Sequence, residues 1–172
     1  DATALQAAEL LFNYLPRSAE ASHDLNARLQ CLLAAWLSMM GTPNVASGFS
    51  HALGHVIGVR YDVGHGYTSC VTQPYVMEYN RPASAHQQAL LARAAGIDVR
   101  GMSDEAAAVA AAGAVDDFIL GLGMPHHIRE LEVPREDLPA VAQLVLEDGG
   151  SRANPIPVTE PEQVMEVLEK AW

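Results

Sequence analysis

The chain has 172 residues, 49% of them hydrophobic, and 10 basic residues face 21 carboxylates for a formal net charge of -11. That length is enough for one domain with a sizeable core, while the negative field excludes a phosphate-backbone ligand and disfavours an anionic membrane surface. No apolar run approaches the roughly 20 residues that cross a bilayer, no signal-peptide pattern is visible, and Cys31 and Cys70 read as reduced packing residues of a cytoplasmic protein.

Alanine and leucine dominate and aromatic residues are sparse, a composition that favours helix. Leu5, Ala8, Leu11, Phe12 and Leu15 predict a first helix from Ala2 that stops at Pro16. Leu25, Leu29, Leu32, Trp36 and Met40 predict a long amphipathic helix from Ser18 to Met40 with this stripe against a core. Gly41-Thr42-Pro43-Asn44 ends it. A shorter helix is expected from Phe49 to Gly58, a loop from Val59 to Gly64, and a helix from Gly66 to Asn80 kinked at Pro74. Ser84 to Ala95 gives another helix closed by Gly96, and Ser103 caps one reaching Leu122 with Asp104 and Glu105 on its N-terminal dipole. Pro134 to Glu147 is a further helix closed by Gly149-Gly150, and a capping box at Thr159-Glu160-Pro161-Glu162 opens the last. The expected architecture is all-α, a bundle of about seven or eight helices forming one domain over residues 1–172.

The chemistry concentrates in HALGHVIGVRYDVGH, where His51 and His55 stand four apart on a predicted helix and His65 follows beyond a loop. Side chains at i and i+4 share a helix face, and neutral imidazole is the commonest metal ligand. A metalloprotease would need glutamate directly after the first histidine, where Ala52 stands. A ferritin-like centre needs two Glu-x-x-His pairs, and Glu20–His23 has no counterpart. A mononuclear site takes four ligands, or three and an open position. His51 and His65 supply two, with His55 a third ligand or a proton-transfer group. No Asp or Glu has a histidine four positions on, so the chain holds half a site; packing or surface histidines are the bland alternative. Ser50 lacks the second glycine of a nucleophile elbow, and Gly121-Leu-Gly123 follows a helix rather than a strand. His126 and His127 are expected to point apart into solvent, as are His23, His86 and Asp116-Asp117.

The stretch GFSHALGHVIGVRYDVGHGYTSCVTQPYVMEYN resembles the signature region of the iron-containing (group III) alcohol dehydrogenases, which include the maleylacetate reductases. Weaker similarity extends through GLGMPHHIREL and the Asn-Pro-Ile-Pro-Val turn, so the resemblance covers essentially the whole chain. It implies a C-terminal helical domain whose metal has one Asp and three His ligands. His51 and His65 match the second ligand pair, and His55 matches the histidine beside the nicotinamide, as a catalytic proton-transfer group. The first ligand pair and the NAD(P)-binding domain would lie upstream of Asp1, so the chain is expected to be part of a longer protein. Fe(2+) or Zn(2+) would act in the intact site on a small alcohol or carbonyl substrate. Maleylacetate reductases often have His-Ala-Glu where this chain has His65-Gly66-Tyr67, which leans toward the alcohol-dehydrogenase branch.

On this resemblance the chain alone is expected to bind metal weakly or not at all and to turn over nothing. Two other functions stay open: a non-catalytic helical binding or assembly module, and an independent metal-binding protein whose site is completed between subunits. Apolar surface left by an absent domain would also favour a homo-oligomer.

Overall fold

The computed structural model describes residues 1–41 and 44–172. Among them are eight α-helices, two 3₁₀ turns and no strand. The all-α expectation is met. The chain divides into two compact units, residues 1–45 with 85–122 and residues 46–84 with 123–172.

In the first unit, α1 (Ala2–Glu20) and α2 (Leu25–Met39) pack together as a hairpin. The expected stop at Pro16 does not occur: α1 runs on to Glu20, and the break falls at residues 21–24, inside the expected second helix. Proline removes one ladder bond, at a cost of about 3 kcal/mol in a helix interior, which packing against α2 offsets. The break has its own chemistry. Asp24 accepts the Ala27 N–H at 2.9 Å and pairs with Arg17 at 2.9 Å, fixing the start of α2. Thr42 and Pro43 of the expected terminator lie outside the described residues.

The expected apolar stripe of α2 faces outward: Leu25 is 78% exposed, Leu29 60%, Leu32 69% and Trp36 59%. Periodicity identifies a stripe but not the side on which the neighbour lies. Here the neighbour meets the opposite, small-residue face at Ala27 and Ala34, both fully buried. Ala7, Ala89, Ala92, Ala107, Ala108 and Ala111 complete a core built largely of alanine, which lets helix backbones approach closely. The final helix of this unit is α5 (Asp104–Gly121), whose cap is as expected: Ser103 Oγ accepts the Ala106 N–H. Phe12 meets Phe118 with ring centroids 4.6 Å apart. Glu20 and His23 are both exposed, and exposed His86 bonds Asp104.

α4 (His65–Ala94) stays helical through Pro74, and its one departure is Ser84 (φ -139, ψ 18), the boundary between the units. The second proline, Pro82, stands two residues before it. The kink therefore lies later than expected. At the C-terminal end Gly96 adopts φ +84 while its N–H and that of Ile97 bond back to Arg93 and Ala92.

The second unit holds the large apolar core. Phe49, Leu53 and Ile57, four residues apart on α3 (Phe49–Tyr61), are fully buried with Val71, Ile128, Leu138, Val141, Val145, Val164 and Leu168. Burying each of the larger side chains contributes about 1.5–3 kcal/mol. The expected helix from Pro134 becomes a 3₁₀ turn (Arg135–Asp137) and α6 (Leu138–Val145), which packs on α3 and on α8 (Pro161–Ala171). Gly149-Gly150 does not simply close it: these glycines open a further short helix, α7 (Gly149–Ala153), packed on α3. In α8 the capping residue is Glu160, with Gln163 reaching back, one position later than the predicted box. His126 and His127 are half-buried with ring centroids 4.4 Å apart, so they do not point away from one another. Cys31 and Cys70 are free thiols. Asp117 is exposed as expected, but Asp116 is half-buried.

Candidate metal centre

The buried stripe at positions 49, 53 and 57 fixes the rotation of α3. His51 and His55 are each offset from it by two residues, which turns them to the other side of the helix. The start of α3 is pinned across the fold. Asn154 Oδ1 accepts the Phe49 N–H at 3.1 Å, and the Asn154 and Asn80 amides bond each other reciprocally at 3.0 and 2.5 Å. Asn154 also donates to Ile156 O, so one nearly buried amide ties α3, α4 and the turn before α8 together.

α3 ends three residues beyond the expected Gly58, at Tyr61. Asp62 takes the left-handed conformation (φ 54, ψ 40), which Asp tolerates better than most residues, and Val63 N–H returns to Gly58 O. The chain thus reverses in three residues and starts α4 at His65. Close approach follows from Gly54, where a Cβ would stand 2.7 Å from His65 Cε1 and 2.9 Å from Thr68 Oγ1. Only a residue with no side chain admits His65 there.

The three histidines meet. His65 Nε2 and His51 Nδ1 are 3.1 Å apart, and ring centroids are separated by 4.3 Å (51–55), 4.6 Å (51–65) and 5.7 Å (55–65). They line an open pocket of about 350 Å³ with Gly54, Gly58, Val59 and Val63. His55 Nδ1 donates to Asp148 Oδ2 at 2.8 Å, and Asp148 Oδ1 accepts the Gly150 N–H at 2.8 Å.

Burial, reinforced by the neighbouring His55 and His65, holds the His51 imidazole below its ordinary range, and Asp148 opposes this. The His55 hydrogen bond, with that from Gly150 N–H, keeps the Asp148 carboxyl below the usual carboxylate range despite its partial burial. Both effects favour a neutral imidazole at 51 and an ionised carboxylate at 148.

The donor set fits a cation in part. Two imidazole nitrogens 3.1 Å apart have the spacing that two ligands each about 2.0–2.1 Å from one ion adopt, between right-angled and tetrahedral pairs. Among the described residues, no group of three or more His, Cys, Asp or Glu is arranged to hold an ion. Two imidazoles are fewer than the three or four donors of a complete metal site.

Sequence reasoning left Asp148 out and gave Asn154 no part in the site. The signal for Asp148 is an N-cap residue before Gly149-Gly150-Ser151, masked because paired glycines ordinarily mark a helix end. Ser50, in the first turn of α3, is buried and bonded to Thr72 at 2.9 Å.

The whole chain, residues 1–172, matches the family model "Fe-containing alcohol dehydrogenase family, C-terminal". It is 34% identical to lactaldehyde reductase of Escherichia coli K12 over 172 residues, covering all of this chain and 44% of that relative. Similarity to 1,3-propanediol dehydrogenase of Klebsiella pneumoniae is 34% identity over 155 residues, 90% of this chain and 40% of the relative. A crystal structure of a 1,3-propanediol oxidoreductase superposes with a TM-score of 0.96 at 31% identity, covering 100% of this chain and 45% of that one. The chain spans less than half the length of these relatives. It belongs to the Fe-containing alcohol dehydrogenase family and corresponds to the C-terminal, helical part of its members.

Proposed function

We propose that this chain is the helical metal-binding domain, residues 1–172, of an oxidoreductase that transfers hydride between a small alcohol and NAD(P), with His51 and His65 as two of the metal ligands and His55 as the proton-transfer residue. The observation that carries the reading is the convergence of His51 Nδ1 and His65 Nε2 to 3.1 Å with His55 alongside. A divalent cation, Fe(2+) or Zn(2+), supplies Lewis acidity toward a substrate oxygen when bound. Imidazole donors accept either ion; the remaining ligands would lie upstream of Asp1 in the same helical part, and the dinucleotide platform in an N-terminal domain. The relatives named lactaldehyde reductase and 1,3-propanediol dehydrogenase support a small hydroxylated or carbonyl substrate.

The chain's own residues have distinct tasks. Burial favours the neutral form of His51, which has a lone pair on one ring nitrogen for a cation. Gly54 gives His65 room beside it. His55, half-exposed at the pocket and anchored through Nδ1, keeps Nε2 for exchanging a proton with the substrate oxygen. Val59 and Val63 supply apolar pocket wall, suited to a small aliphatic substrate.

The test is NAD(P)H oxidation by a small aldehyde in the two-domain protein and in the 172-residue chain. The two-domain protein is expected to lose activity on chelation and regain it with one divalent metal, while the chain alone is inactive. Metal-independent reduction by the two-domain protein overturns the metal assignment. Reduction by the chain alone overturns the division of labour.

A further inference from the structure

We infer that Asp148 is a positioning residue that holds His55 in its Nδ1-protonated tautomer and fixes the orientation of its ring. The carboxylate lies 93 positions away in sequence and reaches His55 Nδ1 at 2.8 Å. An ionised carboxylate only accepts, so the ring nitrogen facing it carries the hydrogen and Nε2 carries the lone pair.

The carboxylate is itself immobilised. Its second oxygen accepts the Gly150 N–H at 2.8 Å, and its backbone carbonyl accepts the Ser151 hydroxyl at 2.7 Å and the Ser151 N–H at 3.2 Å. The helix that Asp148 caps lies tight against the start of α3, since a Cβ at Gly150 would stand 3.0 Å from Gly48 O. The segment carrying Asp148 and the helix carrying His55 are therefore held in fixed register. This is the arrangement in which an outer partner sets the tautomer of a working histidine.

The geometry makes the isosteric variant informative. In Asp148→Asn, the amide oxygen must keep facing the Gly150 N–H, because turning the NH₂ there would oppose two donors. The NH₂ then faces His55 Nδ1, which can bond it only as an acceptor. The substitution preserves the cap, since Asn caps helices as well as Asp, but reverses the hydrogen-bond direction at His55. Loss of packing or capping alone would not do that.

The tautomer assignment rests on the hydrogen bond alone; its consequence for turnover rests on the function proposed above. The experiment is imidazole ¹⁵N NMR on the ¹⁵N-labelled, metal-free 172-residue chain, at a pH where the rings are neutral, for wild type, Asp148→Asn and Asp148→Ala. The wild-type His55 is expected as the Nδ1–H tautomer, Asp148→Asn as Nε2–H, and Asp148→Ala as a mixture. A wild-type ring protonated at Nε2, or a tautomer unchanged in Asp148→Asn, overturns the inference. If Asp148→Ala fails to fold, the capped Asp148→Asn variant carries the test. In the two-domain protein, Asp148→Asn is expected to lower kcat on the order of 10-fold with KM nearly unchanged. A switched tautomer with unchanged kcat upholds the positioning and refutes the proton-transfer role of His55.

Discussion

Gly54→Ala isolates the close approach on which the histidine cluster depends. The added methyl would sit 2.7 Å from His65 Cε1, 2.9 Å from Thr68 Oγ1 and 3.0 Å from His65 Nδ1. Carbon atoms prefer about 3.5–4.0 Å, so His65 or the first turn of α4 must withdraw. Thr68 cannot yield easily: it is fully buried, and its hydroxyl donates to His65 O at 2.7 Å. Overpacking of this kind costs about 1–3 kcal/mol. Alanine regains about 1 kcal/mol over glycine in a helix interior, leaving a net loss of up to about 2 kcal/mol. Urea unfolding followed by circular dichroism would register this as a lower midpoint with unchanged slope. A variant more stable than the wild type would refute the claim that His65 is seated against Gly54.

Other outcomes follow from the same contacts. Asn154→Ala removes the acceptor of the Phe49 N–H and strands the Asn80 amide; a loss of about 2–3 kcal/mol in urea unfolding is expected, and a change below about 0.5 kcal/mol would contradict the pinning. Leu29→Gln and Trp36→Gln, on the exposed face of α2, should each shift stability by no more than about 0.5 kcal/mol. By contrast, Ala34→Leu on the buried face should cost about 1–3 kcal/mol; the reverse order would show that the faces are exchanged. Because the Asp148 carboxyl is held below its ordinary range, the unfolded chain takes up that proton first as pH falls. Its stabilisation is thus complete above the ordinary carboxylate range and is lost as pH drops through the folded value. Stability measured against pH should have a shallower acid limb in Asp148→Asn, and an identical limb would contradict the carboxylate's role. In the two-domain protein, His51→Ala and His65→Ala should each weaken metal affinity at least about 10-fold in a chelator competition, and unchanged affinity in either would remove that residue from the ligand set.

Local signals carried much of this fold. The Ser103 cap and the Gly96 stop are short-range, and both stand where the sequence puts them. What local rules misplace is decided by partners distant in sequence. Pro16 does not stop α1 because α2 packs along it, and the helix breaks instead where Asp24 supplies a cap. The α2 stripe was legible as a stripe, but its direction depends on neighbours that meet Ala27 and Ala34. Helix spacing alone predicts that His51 and His55 share a face. That His65 returns to them depends on Asp62 and Gly54, features of one turn and one contact. Asp148 was invisible for a plainer reason: nothing in the residues near His55 indicates a carboxylate 93 positions on.

The central claim is that the imidazoles at 51 and 65 bind one cation. X-ray crystallography of the metal-loaded two-domain protein, with anomalous data at the metal edge, tests it most directly. The account predicts a single peak within about 2.0–2.2 Å of a ring nitrogen of both His51 and His65, with His55 still bonded to Asp148. A loaded protein whose metal lies elsewhere, or whose two rings have turned away from it, would contradict it.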